Sequence, residues 1–170
     1  STVQSPTFLK KLLAQAIGAT MVSHQRSGST KTETLAAAVD KVKYLSSYTS
    51  IAEAEAALAI DESLFIDSLT VSFEGHNFSK RIRVVGLGRE QTTVTGTWGI
   101  ANSAAGICFE DIKFKTPSAN YMIDIVGAGR PDFKRCLLEP GAGKYTFRWN
   151  DAGQVVGAIE CIQTYITNGK

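Results

Sequence analysis

Apolar residues return at a fixed interval in the second half of this chain. At an offset of 24 residues Phe109 meets Phe133, Ile112 meets Cys136 and Phe114 meets Leu138. Tyr121, Ile123 and Ile125 then meet Tyr145, Phe147 and Trp149, so six pairs hold one register without a gap. The Ala128-Gly129 pair that closes one segment returns as Ala152-Gly153, while most residues between change freely. A chain behaves this way when each repeat stacks on the next. Inward side chains then form one continuous core, outward ones drift, and corners keep residues that tolerate unusual dihedrals. With two extra residues at the turn, Phe133, Cys136 and Leu138 continue as Ile159, Ile162 and Thr164. An offset of 27 carries Phe109, Ile112, Phe114 and Tyr121 back to Ile82, Val85, Leu87 and Val94. The pattern predicts a mainly β solenoid of about four coils, roughly 20 Å tall at about 4.8 Å per coil.

The local signals agree from about Leu64 onward. "LFIDSLTVSFEG", "RIRVVGLG", "TTVTGTW", "ICFEDIKFK", "YMIDIVG", "DFKRCLLE", "YTFRWN" and "AIECIQTYI" are short runs rich in β-branched and aromatic residues, most of them bounded by Gly, Pro, Asn or Ser. No helical stretch separates them, which argues against βαβ units. A β-sandwich also accommodates strands at this spacing, but the unbroken register favours the solenoid over residues 61–170.

Residues 1–60 read as helical. Ser5 can cap a helix with Pro6 at its first position and Gly18 past its end, and Phe8, Leu9, Leu12, Leu13, Ala16 and Ile17 share one face. After a polar loop, "HQRSGSTKT" (24–32), Thr30 and Glu33 are spaced as a capping box before a narrow stripe of Leu35, Val39, Val42 and Leu45. A third helix starts at Ser50, with Glu53 as its partner, and runs through "IAEAEAALAI". The first of these is too short to persist without packing, so its broad apolar face predicts docking onto something else.

Composition narrows the function. Hydrophobic residues make up 44% and charged ones 20%, which argues against disorder, and a net charge of +2 gives no drive toward nucleic acid or an anionic membrane. The three cysteines, Cys108, Cys136 and Cys161, form no CxxC pair and read as reduced core thiols rather than metal ligands. No apolar run approaches a membrane span, and "STVQSPTFLKKLL" lacks the order of a signal peptide, so the expectation is a protein made and used without secretion. For catalysis the candidates are Glu110, Asp111, Asp124, Asp132 and Glu139, with Arg130 or Arg148. In the 24-residue register Asp124 faces Arg148, Asp111 faces Arg135 and Glu110 faces Lys134, the pattern of an outer face stabilised by opposite charges. No stacked acid pair emerges, and His24 and His76 fall in loops, His76 as a turn residue. No catalytic, cofactor or metal residue is therefore expected.

The stretch "RIRVVGLGREQTTVTGTWGIANSAAGICFEDIKFKTPSANYMIDI" resembles the pectate-lyase-like right-handed β-helix superfamily. Val84-Val85-Gly86-Leu87-Gly88 stands for its apolar strand and G-x-G, and Thr93-Val94-Thr95-Gly96 for its T-V-I-x-G strand. "FEDIKF" matches its strand–bend–strand corner, with Asp111 where Asn is common; Arg135 and Cys161 occupy that place in the next coils, so no asparagine ladder exists. Residues 12–42 resemble the neck of phage tailspikes and tail fibres, at Gly18-Ala19-Thr20-Met21-Val22 and Thr34-Leu35 to Val39, although the usual V-x-DFGA sequel is missing. These resemblances imply a right-handed parallel β-helix over 61–170 behind an α-helical docking or neck region over 1–60. They imply a virion structural protein made in the host cytoplasm: a homotrimeric tail spike or fibre base, or an adaptor. Its partners would be other tail or head proteins of the virion and a host surface polysaccharide. Phe8, Leu9, Leu12, Leu13, Ile17, Leu35, Val39 and Val42 would make the particle-docking or trimer contacts. A polysaccharide lyase or hydrolase is the alternative, with an acid pair in an outer groove; a carbohydrate-binding module, with exposed aromatics on one face, is the third reading.

Overall fold

The computed structural model describes residues 23–25, 32–34, 42–116, 119–127, 130–150 and 158–167. The chain divides into two compact units, 1–42 and 43–170. In the first, β1 (Ser23–Gln25) pairs antiparallel with β2 (Thr32–Thr34). The stretch expected as a polar loop thus begins and ends in strand. Thr32–Thr34 is extended where the capping box predicts a first helical turn, as two β-branched residues in three permit. The expected helix over 6–17, Leu35 and Val39 lie outside the described residues, as do Ala128-Gly129 and Ala152-Gly153.

The second unit is mainly β, built on three parallel sheets that the chain visits in rotation. One rung comprises β4 (Ser63–Phe65), β5 (Thr70–Ser72) and β6 (Asn77–Phe78), one strand in each sheet. The next are β7 (Arg83–Val85), β8 (Thr93–Thr95) and β9 (Trp98–Ile100), then β10 (Cys108–Glu110), β11 (Lys113–Thr116) and β12 (Tyr121–Val126). They are followed by β13 (Asp132–Lys134), β14 (Leu137–Pro140) and β15 (Tyr145–Asn150), and then by β16 (Glu160–Ile162) and β17 (Tyr165–Ile166). Each strand hydrogen-bonds its counterparts in the neighbouring rungs, giving sheet orders β16-β13-β10-β7-β4-β3, β17-β14-β11-β8-β5 and β15-β12-β9-β6. Here β3 is Val42–Tyr44, so Val42 lies in a strand and not on a helical stripe. Pairing beside β4 overrides the helical spacing there, because an extended V-K-Y segment fits a sheet edge.

Inward positions stack by type. Leu64, Val84, Phe109 and Phe133 form one column, and Val71, Val94, Phe114 and Leu138 a second. Trp98, Ile123 and Phe147 form a third. Aromatic rings bridge the columns: Phe109 stacks on Phe133 at 5.4 Å and meets Phe78, Trp98 and Phe114 at 4.9–5.6 Å. Such pairs each add about 0.5–1.5 kcal/mol beyond the area they bury.

The 24-residue register holds as expected between β10–β12 and β13–β15. Elsewhere it changes. Phe109 pairs with Val84 and Ile123 with Trp98, but Phe114 pairs with Val94, so no single offset of 27 applies. The cause is the seven-residue corner 86–92, which pushes β8 along the chain and shortens the link to β9. Phe133 pairs with Cys161 and Leu138 with Ile166, two residues beyond the expected Ile159 and Thr164. The rung at β4–β6, outside the expected repeats, adds a further layer before them.

Corners carry the strain. Asp111, Arg135 and Gln163 sit at φ of 57°, 53° and 49°, and their stacking places Gln163, not Cys161, at the corner of the last rung. Hydrogen bonds continue through these bends: Gly86 N–H donates to Glu110 O, Asp111 N–H to Lys134 O and Arg135 N–H to Ile162 O. Gly86 is required because a Cβ there would stand 2.5 Å from Asp111 O. Gly96, at φ 100°, would bring a Cβ within 2.8 Å of the Glu74 backbone.

One end is closed by α1 (Ile51–Ala57), capped by Ser50, whose Oγ accepts from Glu53 N–H at 3.2 Å. The Glu53 carboxylate turns instead to the N–H and Oγ of Thr49, at 2.7 and 2.6 Å. Ile51, Ala54 and Leu58 enter the core, so the boundary expected at residue 60 falls inside this unit. Glu55, though charged, is buried and holds the first rung: it accepts from Ser79 N–H at 2.7 Å and Lys80 N–H at 2.8 Å, and lies 2.8 Å from His76 Nε2. Lys80 Nζ donates to the carbonyls of Glu55, Ala56 and Leu58, completing the helix C-terminus.

Phe109→Ala is expected to lower stability by about 3–5 kcal/mol, read from urea unfolding. Burial pushes the Glu55 carboxyl up, but the bonds from His76, Ser79 and Lys80 outweigh it and hold the group below its ordinary value. Its contribution is therefore present above pH 4.5 and lost as the pH falls below that value. Protection of the α1 amides, relative to their intrinsic exchange rate at each pH, should fall in acid before that of the rungs, and Glu55→Gln should flatten that response.

Candidate functional site

The outer face of the β16-β13-β10-β7-β4-β3 sheet gathers most of the ionisable side chains that sequence singled out. Alternation along β10, β13 and β16 turns Phe109 and Phe133 inward and sends Cys108, Glu110, Asp132, Lys134, Glu160 and Ile162 outward. Parallel pairing then stacks Cys108, Asp132 and Glu160 in one column and Glu110, Lys134 and Ile162 in the next.

Glu110 is the centre of this face. It is only 5% exposed, and its Oε2 accepts from Arg83 Nη2 at 2.6 Å and from Arg135 Nη2 at 3.3 Å. Lys134 Nζ lies 3.9 Å from Oε1. Burial pushes this carboxyl up, but Arg83, Cys108 and Arg135 together outweigh it and hold Glu110 below its ordinary value, so it stays ionised. At the adjoining corner Asp111 takes a bidentate pair from Arg135, at 2.8 and 2.7 Å, which holds its carboxyl below the ordinary aspartate value. Asp124 and Arg148 make the matching pair on the β15-β12-β9-β6 sheet, where the guanidinium also lies 3.8 Å from the centre of the Tyr121 ring. Glu139 faces Lys113 at 3.5 Å. The expected cross-rung pairs Asp111–Arg135, Asp124–Arg148 and Glu110–Lys134 are all present.

The structure adds a pair that the 26-residue register concealed. Asp132 and Glu160 are direct partners in β13 and β16. Burial and the Glu160 charge raise the Asp132 carboxyl above its ordinary value, with Lys134 opposing. Two stacked acids, one of them held more protonated, have the elements of acid–base chemistry. A correct register was the signal that would have found them, and it depends on four extra residues in the link before β16.

Other expected roles resolve differently. Burial pushes the Cys108 thiol up to about 11 and Cys136 up to about 12, so neither supplies a thiolate near neutrality. Cys161 is exposed, at the top of the column that Phe133 occupies below. His76 does occupy a turn, donating its N–H to Phe73 O, but its ring is drawn to Glu55, which its sequence position did not suggest. Arg130 is exposed and forms no part of the acid clusters above. Trp98, Phe73 and Phe78 are interior, whereas Tyr145 and Tyr165 are 57% and 58% exposed. Tyr121 and Tyr145, expected inward with Ile123 and Ile125, are half-buried and exposed. Among the described residues no group of three or more His, Cys, Asp and Glu is placed to hold a metal ion.

The two ends of the rung stack contrast. The first rung is covered by α1, while the last exposes Ile162, Tyr165 and Ile166, with Trp149 beside them on β15. Of the expected docking residues, Val42 begins β3; Phe8, Leu9, Leu12, Leu13, Ile17, Leu35 and Val39 are outside the described residues. Comparison of the chain with protein-family models, curated proteins and solved structures gave no match.

Because Asp132 is raised, its charge weakens the fold above its ordinary value of 3.8. Asp132→Asn should raise the thermal midpoint at pH 7, and the gain should vanish below pH 3.8. Asp111→Asn, at a half-exposed pair, should cost no more than about 1 kcal/mol and less at high salt.

Proposed function

We propose that this chain is a phage virion structural protein, a homotrimeric tail-spike or tail-fibre base, or an adaptor. In this reading residues 61–170 form a short right-handed parallel β-helix behind a helical neck, and the protein attaches to other tail or head proteins and presents its rungs to a partner or a host surface polysaccharide. The rotation of the chain through three parallel sheets supports the solenoid, and the resemblances at 12–42 and 81–125 supply its handedness and its virion setting. The observation that carries an assembly role is the asymmetry of the ends. Glu55 and Lys80 fasten a helix over one, while Ile162, Tyr165 and Ile166 offer apolar surface at the other. Surface of that kind gains free energy when another subunit covers it.

A second reading, a polysaccharide hydrolase, rests on the stacked Asp132 and Glu160. It requires that Asp132→Asn or Glu160→Gln abolish release of reducing sugars from capsular polysaccharide.

Light scattering at two protein concentrations tests the first reading. A stable species near three times 18.3 kDa is expected. A monomer at both concentrations, or turnover of polysaccharide that needs Asp132, would refute it.

A further inference from the structure

A groove of about 680 Å3 opens between residues 45–52 and strand β5 of the first rung. Its apolar floor is Leu45, Ile51 and Val71, and its walls are hydroxyl-rich, with Ser50, Thr70 and Ser72 among them. On its far side β5 pairs with β8: Thr93 N–H donates to Leu69 O and Phe73 N–H to Thr95 O. In a parallel strand the groups of alternate residues point opposite ways, so the N–H and C=O of Thr70 and Ser72 point away from β8. Among the described residues β5 is the terminal strand of its sheet. The neighbouring sheet is different, because there β3 lies beside β4 and extends the sheet below the first rung.

Glu74 is the carboxylate that lines the groove, and the lining His76 is turned to the buried Glu55. Asp67 holds the lining Ser46 at its backbone N–H, 3.1 Å away, and Glu53 holds the lining Thr49. No Lys or Arg is among the lining residues. Glu74 is exposed and uses one oxygen on Thr97 N–H, at 2.7 Å.

We propose that this groove receives an extended, basic peptide segment of a partner protein, which adds a strand to the free edge of β5 and sets a Lys or Arg against Glu74. The strand edge supplies main-chain hydrogen bonds, the floor takes alternate apolar side chains, and Glu74 selects the charge. A sugar could use the hydroxyls but would leave the row of peptide groups without matching partners. The inference concerns the opposite end from the exposed last rung, and it stands or falls separately from the virion reading.

The test is an NMR titration of the full chain with an acetylated and amidated peptide of about eight residues alternating Lys and Val, a length suited to one added strand. The Glu–Val counterpart and a neutral dextran oligosaccharide serve as controls. The amides of Thr70 and Ser72 should shift and become protected from exchange, with the Glu–Val peptide binding at least about tenfold more weakly. Glu74→Gln, which keeps an acceptor for Thr97, should lower affinity several-fold and reduce its dependence on salt. Ser72→Pro removes one edge donor at a position where an edge strand tolerates proline, and should weaken binding again. Shifts that spare Thr70 and Ser72, equal binding of both peptides, or displacement by dextran would each overturn the proposal.

Discussion

Every layer of this protein depends on the hydrogen-bonded register between one rung and the next. Parallel pairing places Phe133 over Phe109 and Leu138 over Phe114, and those columns make the core. A slip by one residue would turn every inward side chain outward, so the apolar columns and the backbone ladder enforce each other. The aromatic rings couple the columns laterally, which makes the rungs a packed body rather than a set of independent strands.

The corners allow that register to persist. Asp111 and Arg135 adopt left-handed backbone, unfavourable for residues with a Cβ, yet their amides still donate to the rung above. The bidentate bond between their side chains crosses the same step. Outer-face charges thus follow the geometry imposed by the core. Glu110 remains ionised despite its burial because neighbouring rungs deliver Arg83, Lys134 and Arg135 to it.

Function-bearing surface arises where this regularity stops. At the first rung the sheets end unevenly: one is extended by β3, one stops at β5, and α1 covers the core between them. At the last, side chains in the positions of buried ones below become exposed, as Cys161 shows above Phe133. Asp132 lies at the same transition, where the column above Cys108 turns wholly acidic. Docking by strand addition, burial of apolar surface and acid–base chemistry all use such irregular places.

The spacing of Phe109, Ile112 and Phe114 against Phe133, Cys136 and Leu138 was enough to reveal stacked strands, because a continuous core repeats residue type. It also revealed the ion pairs that share that interval, and Ser50 announced the start of α1. Other features needed the folded chain. The seven-residue corner 86–92 and the longer link before β16 change the offset without changing which strands pair, so Val84, Trp98 and Cys161 could not be aligned by counting. Val42 spaces well on a helix, but pairing beside β4 decides for strand. The Glu55–His76 contact joins residues whose proximity comes only from the helix folding back under the first rung. Periodicity records what each residue repeats; which exceptions meet is decided by hydrogen bonds and packing between segments far apart in the chain.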